Sequence, residues 1–261
     1  MTRLLSVISS NIRYSEPRDD EHSWENRRDF LASRLLDYKP DLLATQEGKL
    51  PQIRDIDDRL TGLRCVDSHR EWHESLMYPC LFYNPDKLTL AESGDFWLSE
   101  SPAIHGSISF GSAFPRLCTW AQFDEGIFAI NVHLDNSGSD TRLCQIRVLM
   151  QQLENQRASE NAILLMGDFN ESPECPVRDL INREWPDLTD PWLELGHDEE
   201  SSHHHFYEKI DYGSRVDWIL ANEQLEAQEI LLDKSQSGSG IYPSDHYILK
   251  ARFRWHKQSE T

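Results

Sequence analysis

The side chains best placed to do chemistry lie at the end of segment 163–170, which reads Ile-Leu-Leu-Met-Gly-Asp-Phe-Asn and begins with an apolar run of strand length. Because side chains alternate faces along an extended chain, Asp168 and Asn170 share one face and Phe169 packs on the other. A carboxylate and a carboxamide placed in this way can hold a water molecule and bind an oxyanion. Gly-Asp-x-Asn is also ordinary turn chemistry, so this segment alone does not distinguish a turn from a site.

Three other apolar, strand-like segments end in a polar residue, namely Asn11, Glu47 and His133. Taken singly, each is explained by a strand terminator, a surface group or a satisfied edge residue. Glu47 is harder to explain, because a charge that directly follows an apolar run is costly without a partner such as a metal ion.

The last third of the chain adds more polar residues of the same kind. Asp217 lies within the apolar strand predicted at 215–220, where an acid is costly unless a histidine or an arginine pairs with it. Asp245 and His246 lie at the entrance of the last predicted strand. Together these positions predict one cleft formed by Asn11, Glu47, His133, Asp168, Asn170, Asp217, Asp245 and His246.

Arg116 and the histidine triplet 203–205 are ambiguous. Arg116 precedes an alternating strand and is either a solvated or ion-paired arginine or a ligand of an anion. Three adjacent histidines cannot all point into one site, so a solvated run explains at least two of them. A structural zinc site built from the triplet is a second interpretation.

The elements that must position these residues are predicted by periodicity. Apolar residues at helical spacing between 143 and 153 predict a helix that joins the strand ending at His133 to the strand ending at Asp168. A right-handed βαβ crossover then places both strand ends at one edge of a sheet, where α/β proteins carry their sites.

The remaining pattern predicts further helices and one hairpin. Helices are predicted at 24–38, behind a Ser23 cap, and at 50–60. Another helix is predicted to begin at Ser172-Pro173-Glu174. The strands at 80–83 and 88–96 are predicted to form a hairpin around the turn between them.

Composition limits the class of protein. With 261 residues, 38% hydrophobic and 10% aromatic, the chain can bury a large α/β core, and no linker divides it into two. We therefore expect a single domain over residues 1–261. The net charge of −19 disfavours long duplex DNA as a partner, because nucleic-acid binders present a basic face. A small anion held through a divalent cation is not excluded by this charge.

Cysteine usage and hydropathy indicate the compartment. The five cysteines show no Cys-x-x-Cys spacing, which indicates reduced thiols rather than a disulfide framework or a thiolate zinc site. The first ten residues are too short and too polar for a signal sequence, and no segment is long enough to span a membrane. We expect a cytoplasmic monomer.

The polar strand ends fall in motifs that resemble those of the endonuclease/exonuclease/phosphatase superfamily, whose fold is like that of deoxyribonuclease I. The motifs are Ser10-Asn11-Ile12-Arg13, Gln46-Glu47, Asn131-Val132-His133-Leu134-Asp135, Gly167-Asp168-Phe169-Asn170, Val216-Asp217-Trp218-Ile219 and Ser244-Asp245-His246. A bacterial branch without an assigned substrate is similar at Trp24-Glu25-Asn26-Arg27, at 96–102 and at 113–120. The resemblance implies a four-layer α/β sandwich, in which two mixed sheets pack face to face with helices outside.

The resemblance also implies a metal site. Glu47 would be the principal ligand of a divalent cation, Mg²⁺ or Mn²⁺, assisted by Asn11 and Asp245. Hard oxygen ligands suit such ions, and few protein ligands leave room for water and phosphate.

The resemblance assigns catalytic roles to five residues. Asp168 would orient or deprotonate the attacking water, and Asn170 would bind a phosphate oxygen. His246 would stabilise charge on phosphorus, with Asp217 or another acid fixing its tautomer. His133 would contact the phosphate or assist the leaving group.

Two further residues are expected to bind substrate. Arg116 would add a positive charge near the phosphate or support the strand that ends at His133. The match of residues 202–206 makes His204 the member of the triplet expected to face the site. The implied activity is metal-dependent hydrolysis of a phosphodiester or phosphomonoester by in-line attack of water. The substrate would be a small anionic phosphate ester or a short nucleic acid. The alternative is a catalytically silent scaffold that binds a protein or a metabolite.

Overall fold

The structure is a computed structural model that describes residues 2–157, 161–207 and 213–256. Within these residues, one mixed sheet contains the strands Thr2–Asn11 (β1), Leu42–Lys49 (β2), Arg64–Cys65 (β3), Met77–Tyr83 (β4), Leu225–Asp233 (β10) and Ile248–His256 (β11). Its strand order is β10-β11-β1-β2-β4-β3, and β1 runs parallel to β2.

The second sheet contains the strands Leu90–Trp97 (β5), Leu117–Phe123 (β6), Ile127–His133 (β7), Ala162–Asp168 (β8) and Asp217–Ala221 (β9), in that order. β7 and β8 are parallel, and His133 lies opposite Asp168 in the register. The predicted βαβ unit is therefore confirmed.

The described helices are Trp24–Asp37 (α1), Leu50–Asp57 (α2), Ser139–Leu153 (α3), Pro176–Glu184 (α4) and Pro191–Glu194 (α5), with a 3-10 helix at Pro17–His22. α1 and α2 pack with the outer face of the first sheet. α3 and α4 pack with the outer face of the second sheet, and a third apolar cluster fills the space between the sheets. This arrangement confirms the predicted four-layer α/β sandwich.

Strand β8 shows how alternation produces these layers. Leu164 and Met166 belong to the core between the sheets, whereas Ile163 and Leu165 pack towards the helices. All four side chains are buried, because helices cover the outer face of the sheet. A strand buried on both faces reads as a continuous apolar run, which is the pattern seen in the sequence.

The predicted hairpin is wrong. A turn does close at Asn84, whose carbonyl accepts a hydrogen bond from the backbone N–H of Lys87. The chain then leaves the first sheet for the second, so β4 pairs with β2 and β3, while β5 pairs with β6. Strand propensity and a turn signal identify two strands but not their partners.

Two other local predictions differ from the structure. Helix α4 begins three residues after the predicted proline, with Cys175 as the N-cap and Pro176 in the first turn. Strand β10 was not predicted, because a register shift between Ala227 and Glu229 interrupts its alternation.

A buried polar layer joins the two sheets beneath the cleft. The side chain of Asn131, on β7, donates hydrogen bonds to the carbonyl oxygens of Thr45 and Cys80 at 3.0 and 2.8 Å. The Gln46 side chain donates to the Asn131 side-chain oxygen at 2.8 Å. These bonds fix the ends of β2 and β7 relative to each other, and therefore the positions of Glu47 and His133.

Candidate active site

A cleft of about 350 Å³ lies where the ends of the strands from both sheets meet. Its lining contains three acids, three histidines and three cationic side chains within a chain of net charge −19. The lining residues are Arg13, Tyr14, Glu47, Lys49, Ser75, Met77, Phe114, Arg116, His133, Asn136, Asp168, Asn170, His203, Asp245 and His246.

Asp168 lies at the base of this cleft and is almost completely buried. Its Oδ2 accepts a hydrogen bond from the Asn11 side chain at 2.9 Å, across the space between the sheets, and its Oδ1 accepts one from the backbone N–H of Asn170. Burial raises the pKa of Asp168 to about 6, although the charge of His246 and the bond from Asn11 oppose the change. A carboxylate with this pKa can accept a proton near neutral pH.

The tight packing of β8 against β7 depends on Gly167. Its φ of +140° is favourable only for glycine, and an added Cβ would overlap the carbonyl oxygen of Val132 on the neighbouring strand. Phe169 stacks on Trp218 with ring centroids 4.1 Å apart, as the alternation predicts. Asp168 is thus directed to the opposite face.

His246 and Asp217 form a buried pair beside Asp168. The distance between His246 Nδ1 and Asp217 Oδ2 is 2.8 Å, and His246 Nε2 lies 3.8 Å from Asp168 Oδ2. Burial alone would lower the pKa of His246, but the charge and hydrogen bond of Asp217, together with the charges of Asp168 and Asp245, raise it to about 10. His246 is therefore an imidazolium at neutral pH.

Sequence reasoning missed Ser202, which supports Asp217. Its hydroxyl donates to Asp217 Oδ2 at 2.6 Å and accepts hydrogen bonds from the backbone N–H groups of Val216 and Asp217. Ser202 lies in a loop remote in sequence from β9. No local pattern marks it as part of the site.

His133 differs from His246 in its environment and is held neutral. Its Nε2 lies 3.5 Å from Asp168 Oδ2. Burial, together with the charges of Arg116 and His246, lowers the pKa of His133 well below its usual value. Asn170 adopts a left-handed φ of 52°, and its side-chain amide donates to the Leu134 carbonyl oxygen at 3.0 Å.

Arg116 lies at the cleft without an ion pair within the described segments. Its side chain is buried, its Nη2 lies 3.4 Å from the side-chain oxygen of Asn136, and its Nε has no hydrogen-bond partner among the described residues. Burial lowers the pKa of Arg116, but a guanidinium remains charged at neutral pH. A buried cation with free donors that faces a cleft is suited to bind an anion.

Two of the three predicted metal ligands, Glu47 and Asp245, fall in different groups of potential ligand atoms. Glu47 groups with His133 and Asp168, whereas Asp245 groups with His203 and His246. Asn11 directs its amide to Asp168, and its side-chain oxygen accepts from the backbone N–H of Arg13.

Glu47 is held in an unusual backbone conformation. It has a φ of +68° at a register shift in β2, between Thr45 and Gly48. Such a conformation is costly for a residue with a side chain, and it is common at functional sites. The backbone N–H of Tyr14 donates to Glu47 Oε2 at 3.1 Å.

Arg13, which the sequence analysis did not assign to the site, lies near both acids. Its Nη1 is 3.7 Å from Asp245 Oδ2. Burial opposes protonation, but the hydrogen bond to Asp19 and the charges of Asp245 and Glu47 raise the pKa of Arg13 above its usual value.

The structure corrects the prediction for the histidine triplet. His203, rather than His204, lines the cleft, where its Nε2 is 3.4 Å from Asp245 Oδ2 and its ring stacks on that of His246. His204 is fully buried between Tyr242 and Tyr247. Alternation of side chains along the segment 202–206 separates adjacent histidines, so the motif match identified the wrong neighbour. Within the described residues, His203 alone of the triplet belongs to a group of potential metal ligands.

Two face-to-face mixed sheets with outer helices, and a polar cleft at the strand ends, define a deoxyribonuclease I-like α/β sandwich protein. The sequence model described as "Endonuclease/Exonuclease/phosphatase family" matches residues 8–246. The chain therefore belongs to the endonuclease/exonuclease/phosphatase family, which confirms the resemblance seen in its motifs.

Solved structures of this fold cover almost the whole chain. An endonuclease/exonuclease/phosphatase family protein from Bacteroides thetaiotaomicron is 23% identical, with a TM-score of 0.85 over 98% of this chain and 99% of that one. A mannosyl-6-phosphatase from the same organism is 24% identical, with a TM-score of 0.81 over 95% and 99%. TDP2 from D. rerio, solved with a single-strand DNA product, is 19% identical, with a TM-score of 0.71 over 96% and 98%.

Membrane insertion through a helix finds no support in the described segments, since none of their helices combines the length and the hydropathy that a bilayer span requires.

Proposed function

We propose that this protein is a divalent-metal-dependent phosphoesterase that hydrolyses a phosphate ester by in-line attack of an activated water. The observation that carries the proposal is the composition of the cleft. Asp168, an acid with a pKa of about 6, lies within 4 Å of a cationic His246, and the buried, unpaired Arg116 lines the same cleft. Membership of the endonuclease/exonuclease/phosphatase family supports the same reaction class.

The donor set fits a hard divalent cation. Glu47 and Asp168 supply carboxylate oxygens within 4.8 Å of one another, and Glu47 lies on a strained backbone that aims it at the cleft. Mg²⁺ and Mn²⁺ prefer such oxygen ligands. A bound cation of this type would polarise a phosphoryl oxygen and neutralise its charge. In this proposal Glu47 is the principal ligand, with Asn11 and Asp245 assisting, and Asp168 acts on the attacking water beside the cation and is not itself a ligand.

The protein's own residues supply the remaining functions. Asp168 orients the attacking water and accepts its proton, which its pKa near neutrality allows. His246 donates a charged hydrogen bond to a phosphoryl oxygen from Nε2, because Asp217 holds Nδ1. Asn170 and His133 complete the contacts to the phosphate.

Arg116 binds the same phosphate from the second sheet. Its guanidinium has no competing carboxylate in an ion pair within the described residues, so a phosphate oxygen can take its free donors. The acidic charge of the chain favours small phosphate esters or short nucleic acids over long duplex DNA. We assign His204 to the core and not to substrate binding.

We also propose that this chain forms a single domain, and that the protein is monomeric and cytoplasmic. Its five cysteines are all free thiols, which suits a reducing compartment.

The direct test is hydrolysis of bis(4-nitrophenyl) phosphate and 4-nitrophenyl phosphate, with and without Mg²⁺ or Mn²⁺. We expect metal-dependent turnover that Asp168→Asn lowers by about 10²–10⁴-fold, the usual contribution of a general base. Glu47→Gln should raise the metal concentration needed for activity. Asp29→Asn is the matched control, because this carboxylate is 77% exposed, forms an ion pair with Arg59 and does not line the cleft.

Calorimetric titration with Mn²⁺ provides a measurement that does not depend on turnover. Glu47→Gln should weaken binding, and Asp29→Asn should not. If the parent protein hydrolyses neither nitrophenyl esters nor a panel of nucleotides and sugar phosphates, the scaffold alternative is favoured. One tightly held zinc per chain that is insensitive to Glu47→Gln would instead support a histidine site.

A further inference from the structure

The cleft has two walls of different chemistry. Three of the residues proposed to contact the reacting phosphate lie at the ends of strands of the second sheet: Arg116 precedes β6, His133 ends β7 and Asn170 follows β8. The opposite wall comes from the first sheet. It contains Tyr14, which follows β1, and Lys49, at the end of β2.

Lys49 has no ionic partner in the described part of the chain. Three of the other described lysines pair with carboxylates: Lys87 with Asp41, Lys234 with Glu200 and Lys250 with Glu229. Lys49 is half-buried and lines the cleft, and its ammonium lies over the ring of Tyr14, whose centroid is 5.1 Å from Nζ. An unpaired ammonium at a cleft is notable in a chain with 45 acids and 26 basic residues.

The neighbouring cation does not serve the same purpose. Arg13 lies over the same ring of Tyr14, with its Cζ 4.5 Å from the centroid. Its Nε and Nη2 donate to the two carboxylate oxygens of Asp19 at 3.1 and 3.0 Å, and its Nη1 faces Asp245. Arg13 is therefore neutralised by acids, whereas the charge of Lys49 remains available.

Lys49 is also well placed by the backbone. It pairs with Met77 in the register of β2 and β4, two residues beyond Glu47. The cation–π contact with the ring of Tyr14 restrains the ammonium of Lys49, which lowers the entropic cost of holding it at the cleft. These features describe an anion subsite next to the proposed metal ligand, on the wall opposite Arg116.

We propose that Lys49 and Tyr14 form a second anion subsite, so that the substrate is a phosphate ester whose alcohol portion carries a further negative group, either a phosphate or a carboxylate. This inference rests on the proposed function. Arg116, His133 and Asn170 take the reacting phosphate, and Lys49 takes the second anion across the cleft. Lys49 thus determines specificity and takes no part in bond breaking.

The test uses pairs of esters that differ in one anionic group. Glycerol 3-phosphate and 3-phosphoglycerate are the monoester pair, and the dinucleotides TpT and pTpT are the diester pair. We expect the parent protein to show a higher kcat/KM for the more anionic member of the pair it accepts. Lys49→Gln should reduce this preference about ten-fold, as expected for loss of one charged hydrogen bond. Lys39 is exposed, lies outside the cleft and has no ion pair among the residues that the structure describes, so Lys39→Gln should leave the preference unchanged.

Measuring ligand binding tests the same inference without relying on turnover. Calorimetric titration of the same four compounds into the Asp168→Asn variant with Mg²⁺ should show the same preference, and Lys49→Gln in that background should remove it. The preference should also weaken between 50 and 500 mM salt, because exposed charge pairs are screened. Absence of any preference in the parent, or an equal loss for both members of a pair in Lys49→Gln, would overturn the inference. A protein that binds with this preference but hydrolyses nothing would refute the proposed function and leave the subsite standing.

Discussion

The buried pair of His246 and Asp217 provides the most demanding test of the proposed site. Asp217→Asn keeps the shape of the side chain and its ability to accept the hydrogen bond from Ser202, but removes the charge 2.8 Å from His246 Nδ1. In the parent protein this charge is the main reason why the pKa of His246 reaches about 10 in spite of burial. The variant should therefore hold a neutral His246 at neutral pH.

The structure allows the loss of stability to be worked out. A pKa of about 10 in place of 6.5 corresponds to roughly 5 kcal/mol of stabilisation of the imidazolium, shared among Asp217, Asp168 and Asp245. Removing one partner of a buried pair costs about 3–5 kcal/mol. We expect about 3 kcal/mol, because His246 can release its proton, and a fall in Tm of roughly 6–12 °C.

The pH dependence follows from the direction of the pKa change. Because the pKa of His246 is higher in the folded protein than in the unfolded chain, its stabilising contribution is complete below about pH 6.5 and is lost as the pH rises through about 10. The difference in Tm between parent and variant should therefore shrink from pH 7 to pH 10.

The loss of activity in Asp217→Asn should have the opposite pH dependence to the loss of Tm. Loss of one charged donor to the phosphate should lower kcat by about 10²–10³-fold at pH 8–9. The deficit should narrow as the pH falls to 6, because protonation restores the imidazolium in the variant. The measurements are Tm, kcat as a function of pH and the imidazole resonances in NMR spectra, with Asp29→Asn as the control. A variant with the Tm and the kcat of the parent between pH 6 and 9 would refute this account of His246.

Three further predictions test other parts of the site. Burial raises the pKa of Asp168 to about 6, so the folded protein favours the protonated carboxyl; this contribution to stability is complete below about pH 4 and is lost as the pH rises through 6. Asp168→Asn should therefore be up to about 3 kcal/mol more stable than the parent at pH 8, with a smaller gain at pH 5, as measured by thermal denaturation. Gly167→Ala should lower the free energy of unfolding, measured by urea denaturation, by about 3–5 kcal/mol, because the added Cβ overlaps the backbone of Val132. Gly238→Ala should have little effect, because a Cβ there has no atom within 4 Å. Burial lowers the pKa of His204 to about 3, so His204→Phe should preserve both kcat and Tm, and a ten-fold loss of activity would return His204 to the site.

Most of the proposed site residues could be located from the sequence, because they lie next to an end of a predicted apolar strand or interrupt one. Alternation placed Asp168 and Phe169 on opposite faces, and the structure places the first at the cleft and the second against Trp218. The same reasoning joined His133 to Asp168 through a crossover helix, and the two lie opposite each other in the sheet. Local periodicity is sufficient here, because both inferences concern neighbouring strands of one βαβ unit.

The predictions that failed concern partners at a distance. The segments around Asn84 look like a hairpin, but the chain crosses there from one sheet to the other. The choice between His203 and His204 depended on how a loop packs against β11, and a motif match could not decide it. Ser202, which supports Asp217, carried no local signal at all.

The sequence by itself determined the family, through its motifs, and most of the polar residues at the strand ends, since these depend on local alternation and on residue type. Only the tertiary structure decided which charges are paired. Arg13 is neutralised by Asp19, whereas Arg116 and Lys49 have no ion pair within the described residues, and His246 carries a proton that burial alone would remove. The physical reason is that electrostatic energies depend on distances of a few ångströms and on burial, and both are set by segments that lie far apart in the chain.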